Sequence, residues 1–180
     1  MKEKVLWITE TAILLALLVA VQGLTAGFGN QFLTGSCVNL ILAVTALLAG
    51  PWSGAVVAAV SPFLAFAFGI GPKFIQLLPV VALGNLVFVL VLFALSGRKH
   101  TAQWSNALGW VLAAGAKFLT LYFAIVKLLV PILVSGGVIP EKAAVVLTVQ
   151  FSWPQLVTAL IGGAIAMLIV PALKKGLHRA

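Results

Sequence analysis

Long apolar runs dominate the chain, and polar residues gather mostly between them. A helix that crosses a bilayer needs about 20 predominantly apolar residues. Six segments approach that rule: 5–22, 36–50, 52–70, 74–95, 104–134 and 143–170. The second is short and spans only when tilted or joined to the loop before it. The last two exceed a single crossing. Pro131 is expected to end the fifth, and Pro154 to kink or interrupt the sixth. Runs this apolar show no barrel-like alternation, which leaves an all-α integral membrane protein of about six transmembrane helices. One transmembrane domain over residues 1–180 is expected.

Within the first run, ETAILLALLVAVQ places Ala12, Ala16 and Ala20 four apart among large Leu, Ile and Val side chains. Residues at i, i+4 and i+8 share one helix face. The result is a flat strip that another helix can approach closely, either inside this protein or on a partner.

Three irregular stretches separate the spans on one side. GLTAGFGNQFLTGS (23–36) is glycine-rich, polar and uncharged; GIGPKF (69–74) and SGGVIPEK (135–142) are tighter. The first is longer than a turn needs, and long loops in compact proteins often act as lids. Gly27, Phe28, Asn30 and Gln31 are its candidate lid residues.

Composition supports the membrane reading. Hydrophobic residues make up 63% and charged residues 8%, against roughly a quarter charged in a soluble domain. The net charge of +8 does not point to nucleic acid, which needs a basic patch on a solvated fold. With six spans both termini share a side, and Lys2, Lys4, Arg98, Lys99, Lys174, Lys175 and Arg179 lie there; Lys73 and Lys142 fall in loops on the other. Seven against two puts the termini in the cytoplasm and the irregular loops outside. The single cysteine, Cys37, excludes an internal disulfide and a cysteine-based metal site. The first apolar run carries Glu10 and leads into more membrane sequence, unlike a signal peptide.

Polar groups inside a membrane are costly, and each is a site hypothesis. Lys117 lies about 20 Å into the fifth segment, in its outer half, at 1.5 Å per residue. At 100° per residue Lys117, Thr120, Ala124 and Lys127 share a stripe. Lys127 is read as reaching the interface along its stem, whereas for Lys117 both snorkelling and a ligand contact stay open. No carboxylate lies at matching depth, Glu141 being near the outer rim; an anionic or acceptor-rich ligand would complement it. Asn39, Gln76, Asn85 and the group Gln150, Ser152, Trp153 and Gln155 around Pro154 fall at similar depth. Asn85, beside Gly84, is assigned to helix packing. The others suggest an outward-facing polar cavity walled by Trp153, Tyr122, Phe118 and Phe28. The candidate ligand-binding residues are Asn39, Lys73, Gln76, Lys117, Tyr122, Gln150 and Trp153.

Catalytic chemistry is poorly supplied. The acids are Glu3, Glu10 and Glu141, the histidines His100 and His178, and no HExxH, GxSxG or P-loop occurs. No enzyme, cofactor or metal site is expected. A stand-alone secondary transporter would show repeated halves and a membrane carboxylate, and only Glu10, near the cytoplasmic face, is available. A channel or facilitator, and a membrane scaffold whose polar residues only join helices, remain as alternative readings.

The chain resembles the substrate-binding S component of energy-coupling factor (ECF) vitamin transporters over nearly its whole length. The strip Ala12, Ala16, Ala20, the segment TGSCVNLILAVTALLAGPWSGAVVAAVSPFLAFAFGIGP (34–72) and PVVALGN (79–85) carry the resemblance. It is most similar to the broad group that includes riboflavin, folate, pantothenate and cobalamin S components. The resemblance implies a vitamin or vitamin-precursor ligand, with a lean to cobalamin. It also implies a transmembrane coupling subunit docked on the alanine face, and two cytoplasmic ATPases bound to that subunit. Transport then involves toppling of the S component in the bacterial cytoplasmic membrane. No residue-level motif selects the vitamin.

Overall fold

A computed structural model describes residues 2–96 and 103–177. Arg98, Lys99, His100, His178 and Arg179 lie outside the described residues, as does the Lys2 side chain. The described chain is helical: α1 (Lys2–Ala26), α2 (Gln31–Leu48), α3 (Pro51–Ala67), α4 (Leu78–Ser96), α5 (Gln103–Leu121), α6 (Val130–Ser135), α7 (Glu141–Gln150) and α8 (Trp153–Gly176). A 3₁₀ turn, Ile75–Leu77, leads into α4, and a π-helical stretch, Tyr122–Leu129, joins α5 to α6. Glu3–Ala26, Gln31–Leu48, Ile75–Ser96, Asn106–Ser135 and Glu141–Gly176 are long and apolar enough to cross a membrane. Pro51–Ala67 is apolar but only 17 residues long.

Local chemistry explains the boundaries. The Asn30 side chain accepts from the amides of Phe32 and Leu33 and caps α2, satisfying donors that a helix start leaves open. Gly50 takes a positive φ of 93°, which glycine adopts without strain. It sets the turn into α3, whose first position is Pro51, where no amide is needed.

Two expectations change and a third holds. The irregular stretch expected over 23–36 shrinks to residues 27–30, because α1 runs on to Ala26 and α2 starts at Gln31. Gln31 is therefore a helix residue. Small residues that loosen a chain in water allow close helix packing in a membrane. Gly35, for instance, lies against Thr158, where an added Cβ would come within 2.9 Å. Pro131 does not end the fifth helix, which continues to Ser135. A proline inside an α-helix clashes with the carbonyl four residues back. Here the wider π turn comes just before it. Pro154 does interrupt the sixth segment: α7 ends at Gln150, Phe151 and Ser152 form the break, and Pro154 sits in the first turn of α8.

α2 and α8 pack backbone against backbone. A Cβ on Gly162 would lie 2.5 Å from the Ser36 carbonyl and 2.6 Å from the Leu40 nitrogen. Gly54 brings α3 onto Ala46 of α2 and Val89 of α4, and Gly84 brings α4 onto Leu121 of α5. α1 lies at the edge. Of its described side chains, Thr11 and Leu18 are buried, and the Thr11 hydroxyl hydrogen-bonds Ser53 of α3 at 2.8 Å. Ala12, Ala16 and Ala20 are all exposed, so the strip faces away from the bundle.

Candidate functional site

Lys117, in the middle of the long α5 arm, is only 2% exposed. Its ammonium donates to Asn39 Oδ1 on α2 at 2.6 Å and to Asn85 Oδ1 on α4 at 2.7 Å. The Phe88 ring lies 5.6 Å from Nζ. Asn39 in turn donates to the Gly35 carbonyl at 2.9 Å and to Thr158 Oγ1 at 3.3 Å. One cation thus ties α2, α4 and α5, and Asn39 extends the tie to α8. An ammonium has three donors, and these bonds use two.

This cluster lines a cavity of about 290 Å³. Its mouth lies at the turns after α1 and α3 and at the break between α7 and α8, represented by Asn30, Gly71 and Phe151. That end of the bundle is opposite the chain termini. Gln31 Nε2 and Gln155 Nε2 both donate to the Gln150 carbonyl, at 2.6 and 3.2 Å. The carbonyl freed where the helix breaks is thereby satisfied, as buried backbone requires. Gln22, Thr34 and Ser61 add polar atoms to the walls. Gln22 Oε1 is buried without a partner among the described residues. Lys117 is the one charged group among the described lining residues. The walls therefore present an ammonium donor and several amides and hydroxyls, which suit an acceptor-rich ligand rather than a cation.

Asn39, Lys117 and Gln150 come together here with Asn30 and Gln31. Lys73 is exposed and lines an adjoining groove of about 310 Å³ against α7, which shares Gly71, Pro72 and Gln150 with the main cavity. Gln76, Tyr122 and Trp153 do not line the main cavity, nor do Gly27 and Phe28. Gln76 is exposed on the 3₁₀ turn. Trp153 is 57% exposed and stacks 5.5 Å from Phe32. Tyr122 packs between Phe118 and Phe123, with Lys127 over its ring at 5.5 Å. The aromatic wall expected from Trp153, Tyr122, Phe118 and Phe28 is therefore absent from the cavity's lining. Lys127, read as reaching the interface, is exposed and sits within the π stretch that follows Lys117. A π turn adds a residue per turn and rotates everything after it.

Asn85, assigned to packing, joins helices and lines the cavity at once. No motif in the sequence marks Gln22, Thr34 or Ser61. Their signal is depth alone, and depth does not say which way a helix residue faces.

A multi-pass helical bundle with buried polar groups beneath a cavity defines a membrane protein that binds a small molecule within the bilayer. The chain belongs to the family of ECF transporter substrate-specific components, whose model matches residues 7–174. No curated protein and no solved structure matches it. Membership makes it the membrane-embedded, substrate-binding subunit of a transporter that works with an energy-coupling module.

Proposed function

We propose that the chain is a single transmembrane domain that captures a vitamin or vitamin precursor with high affinity for ATP-driven uptake. The observation that carries this reading is the buried Lys117, bonded to Asn39 and Asn85 yet still lining the cavity. The proposed ligand places a carboxylate or another strong acceptor at Lys117, with Asn39, Gln150, Asn30 and Gln31 around it. It is a binding protein and not a catalyst.

Size bears on the choice of vitamin. A cavity of about 290 Å³ lies at the lower end of the roughly 300–1,000 Å³ that small-molecule sites occupy. A compact acid such as pantothenate suits that volume. Cobalamin, toward which the resemblance leans, requires the mouth to open widely, through the turn at 27–30 and the groove beside Lys73.

Both termini face the cytoplasm in this reading, because Lys4, Lys174 and Lys175 lie at their end, and the membrane is the bacterial cytoplasmic membrane. The cavity then opens outward. The exposed strip Ala12, Ala16 and Ala20 docks a transmembrane coupling subunit, which carries two cytoplasmic ATPases. Mass spectrometry of the small molecule retained by the purified protein tests the reading. A vitamin or precursor with an acidic or acceptor-rich group is expected. A protein that retains none, and binds none from a panel of vitamins, overturns it in favour of a facilitator or scaffold.

A further inference from the structure

A second cavity, of about 500 Å³, lies at the opposite end of the bundle, beside the chain termini, between α2, α5 and α8. Leu47, Trp110, Met167 and Val170 form apolar walls. Ser96 and Lys174 stand at its rim, and the Trp110 indole N–H is buried in the wall without a partner among the described residues. The Ser96 hydroxyl is engaged with the Asn106 carbonyl at 3.1 Å. Lys174 is half-buried and has no ion-pair or hydrogen-bond partner among the described residues, and no carboxylate is among those lining the cavity. Lys175 follows it in the last turn of α8.

The pattern is an apolar slot with a cation at its mouth, at the level where a helix leaves the bilayer. No α1 residue is among the described lining, so the slot lies apart from the exposed alanine strip. Basic pockets between transmembrane helices near the membrane surface bind anionic headgroups, while the walls here match hydrocarbon. We propose that this cavity holds an acyl chain of an anionic phospholipid, with the lipid phosphate at Lys174. The complementarity is twofold: a lysine with no partner among the described residues meets the phosphate, and largely apolar walls meet the chain. The site is separate from the Lys117 cavity and does not depend on which vitamin binds there.

Native mass spectrometry of the full chain in detergent, titrated with phosphatidylglycerol or with phosphatidylcholine of the same acyl chains, tests this. One phosphatidylglycerol should be retained in preference to phosphatidylcholine by about fivefold, the weight of one lysine near an anionic surface. Lys174→Gln should erase that preference while leaving some retention of both lipids. Ala164→Phe, which fills the slot from a half-buried lining position, should weaken both. Excess inorganic phosphate should not displace the lipid. Equal retention of the two lipids by the unaltered protein, or a preference that survives Lys174→Gln, overturns the proposal. So does displacement by inorganic phosphate, which would mark an anion site without a chain. Loss of a homodimer in Ala164→Phe with lipid retention intact would assign the slot to a second copy instead. If Ala164→Phe fails to fold, the rim variant still decides.

Discussion

α1 and α2 are neighbouring apolar helices joined by residues 27–30, and both carry small residues, yet they use them in opposite ways. In α2, Gly35 meets Thr158, and the backbone beside Asn39 meets Gly162 so closely that a methyl group does not fit. Eight α2 residues are buried. In α1, Ala12, Ala16 and Ala20 touch nothing that buries them, and Thr11 and Leu18 alone among the described side chains are buried. Small-residue spacing therefore shows where a close approach is possible but not to whom. What separates the two is polar company. α2 contributes Asn39 to a network that needs fixed neighbours, whereas the outer face of α1 has no such commitment.

The largest effect should come from breaking the α2–α8 contact. Gly162→Val sets side-chain atoms against the Ser36 carbonyl and the Leu40 nitrogen, and backbone cannot retreat as a flexible side chain can. Overpacking commonly costs about 1–3 kcal/mol, and occasionally more; this site should lie at or above the upper figure. Thermal unfolding in detergent measures it. Ala16→Val on the exposed strip serves as the matched control and should stay within about 0.5 kcal/mol of the parent. Equal losses in the two would erase the distinction between the helices.

Next comes Lys117→Met, which keeps the apolar stem and removes the donors. A hydrogen bond to a charged group is worth roughly 1.5–3 kcal/mol, so affinity for the retained ligand should fall about ten- to a hundredfold. The sequence alone suggests that the empty protein would hold or gain stability, because no partner for the charge is visible. The structure reverses that expectation. The substitution strands the Asn39 and Asn85 oxygens, and an unsatisfied buried acceptor costs about 1–3 kcal/mol. Titration calorimetry and thermal unfolding read the two effects separately. Affinity within about twofold of the parent, well short of the tenfold that 1.4 kcal/mol gives, would remove Lys117 from the site.

Ala16→Leu should act more weakly and elsewhere. A leucine on the strip holds a docked helix away where close packing supplies the attraction. The loss should be about 1 kcal/mol, or about fivefold in partner affinity, with ligand binding unchanged. Recovery of the coupling subunit in a pull-down measures it. Undiminished recovery with Ala12, Ala16 and Ala20 all changed to leucine would remove the docking claim.

Much of this plan is legible in the amino-acid order. Apolar length sets the number of helices, because a bilayer requires it, and Pro154 announces the break beside Gln150. Lys117 stands out because a charge at that depth needs a reason. What is not legible is azimuth. Asn39 and Gln76 look equally plausible from depth, but one faces the cavity and the other is exposed. The π stretch Tyr122–Leu129 makes this worse, because it shifts the register of the residues that follow its start. Loop length is misread for a related reason: Gly, Thr and Asn are scored as breakers, although between helices in a membrane they are the contact residues.

The smallest effect should fall on the short segment that links the two helices. Glycines ease a turn's motion and add to the entropy lost when it orders. Gly29 takes a φ of 63°, and Gly29 and Asn30 line the cavity mouth, so a ligand seated on Lys117 can reach them. Asn30 caps α2 through its side chain, which anchors one end of the turn whether or not ligand is bound. Opening should therefore be confined to residues 27–30 and should not spread through 23–36. Ligand should slow amide exchange there by less than about fivefold, corresponding to under 1 kcal/mol, with the rest of α1 and α2 unchanged. Hydrogen exchange with and without the ligand reads this directly. Equal protection in both states would make the turn static, while slowing spread over 23–36 would mean that the ends of α1 and α2 open together as a larger lid.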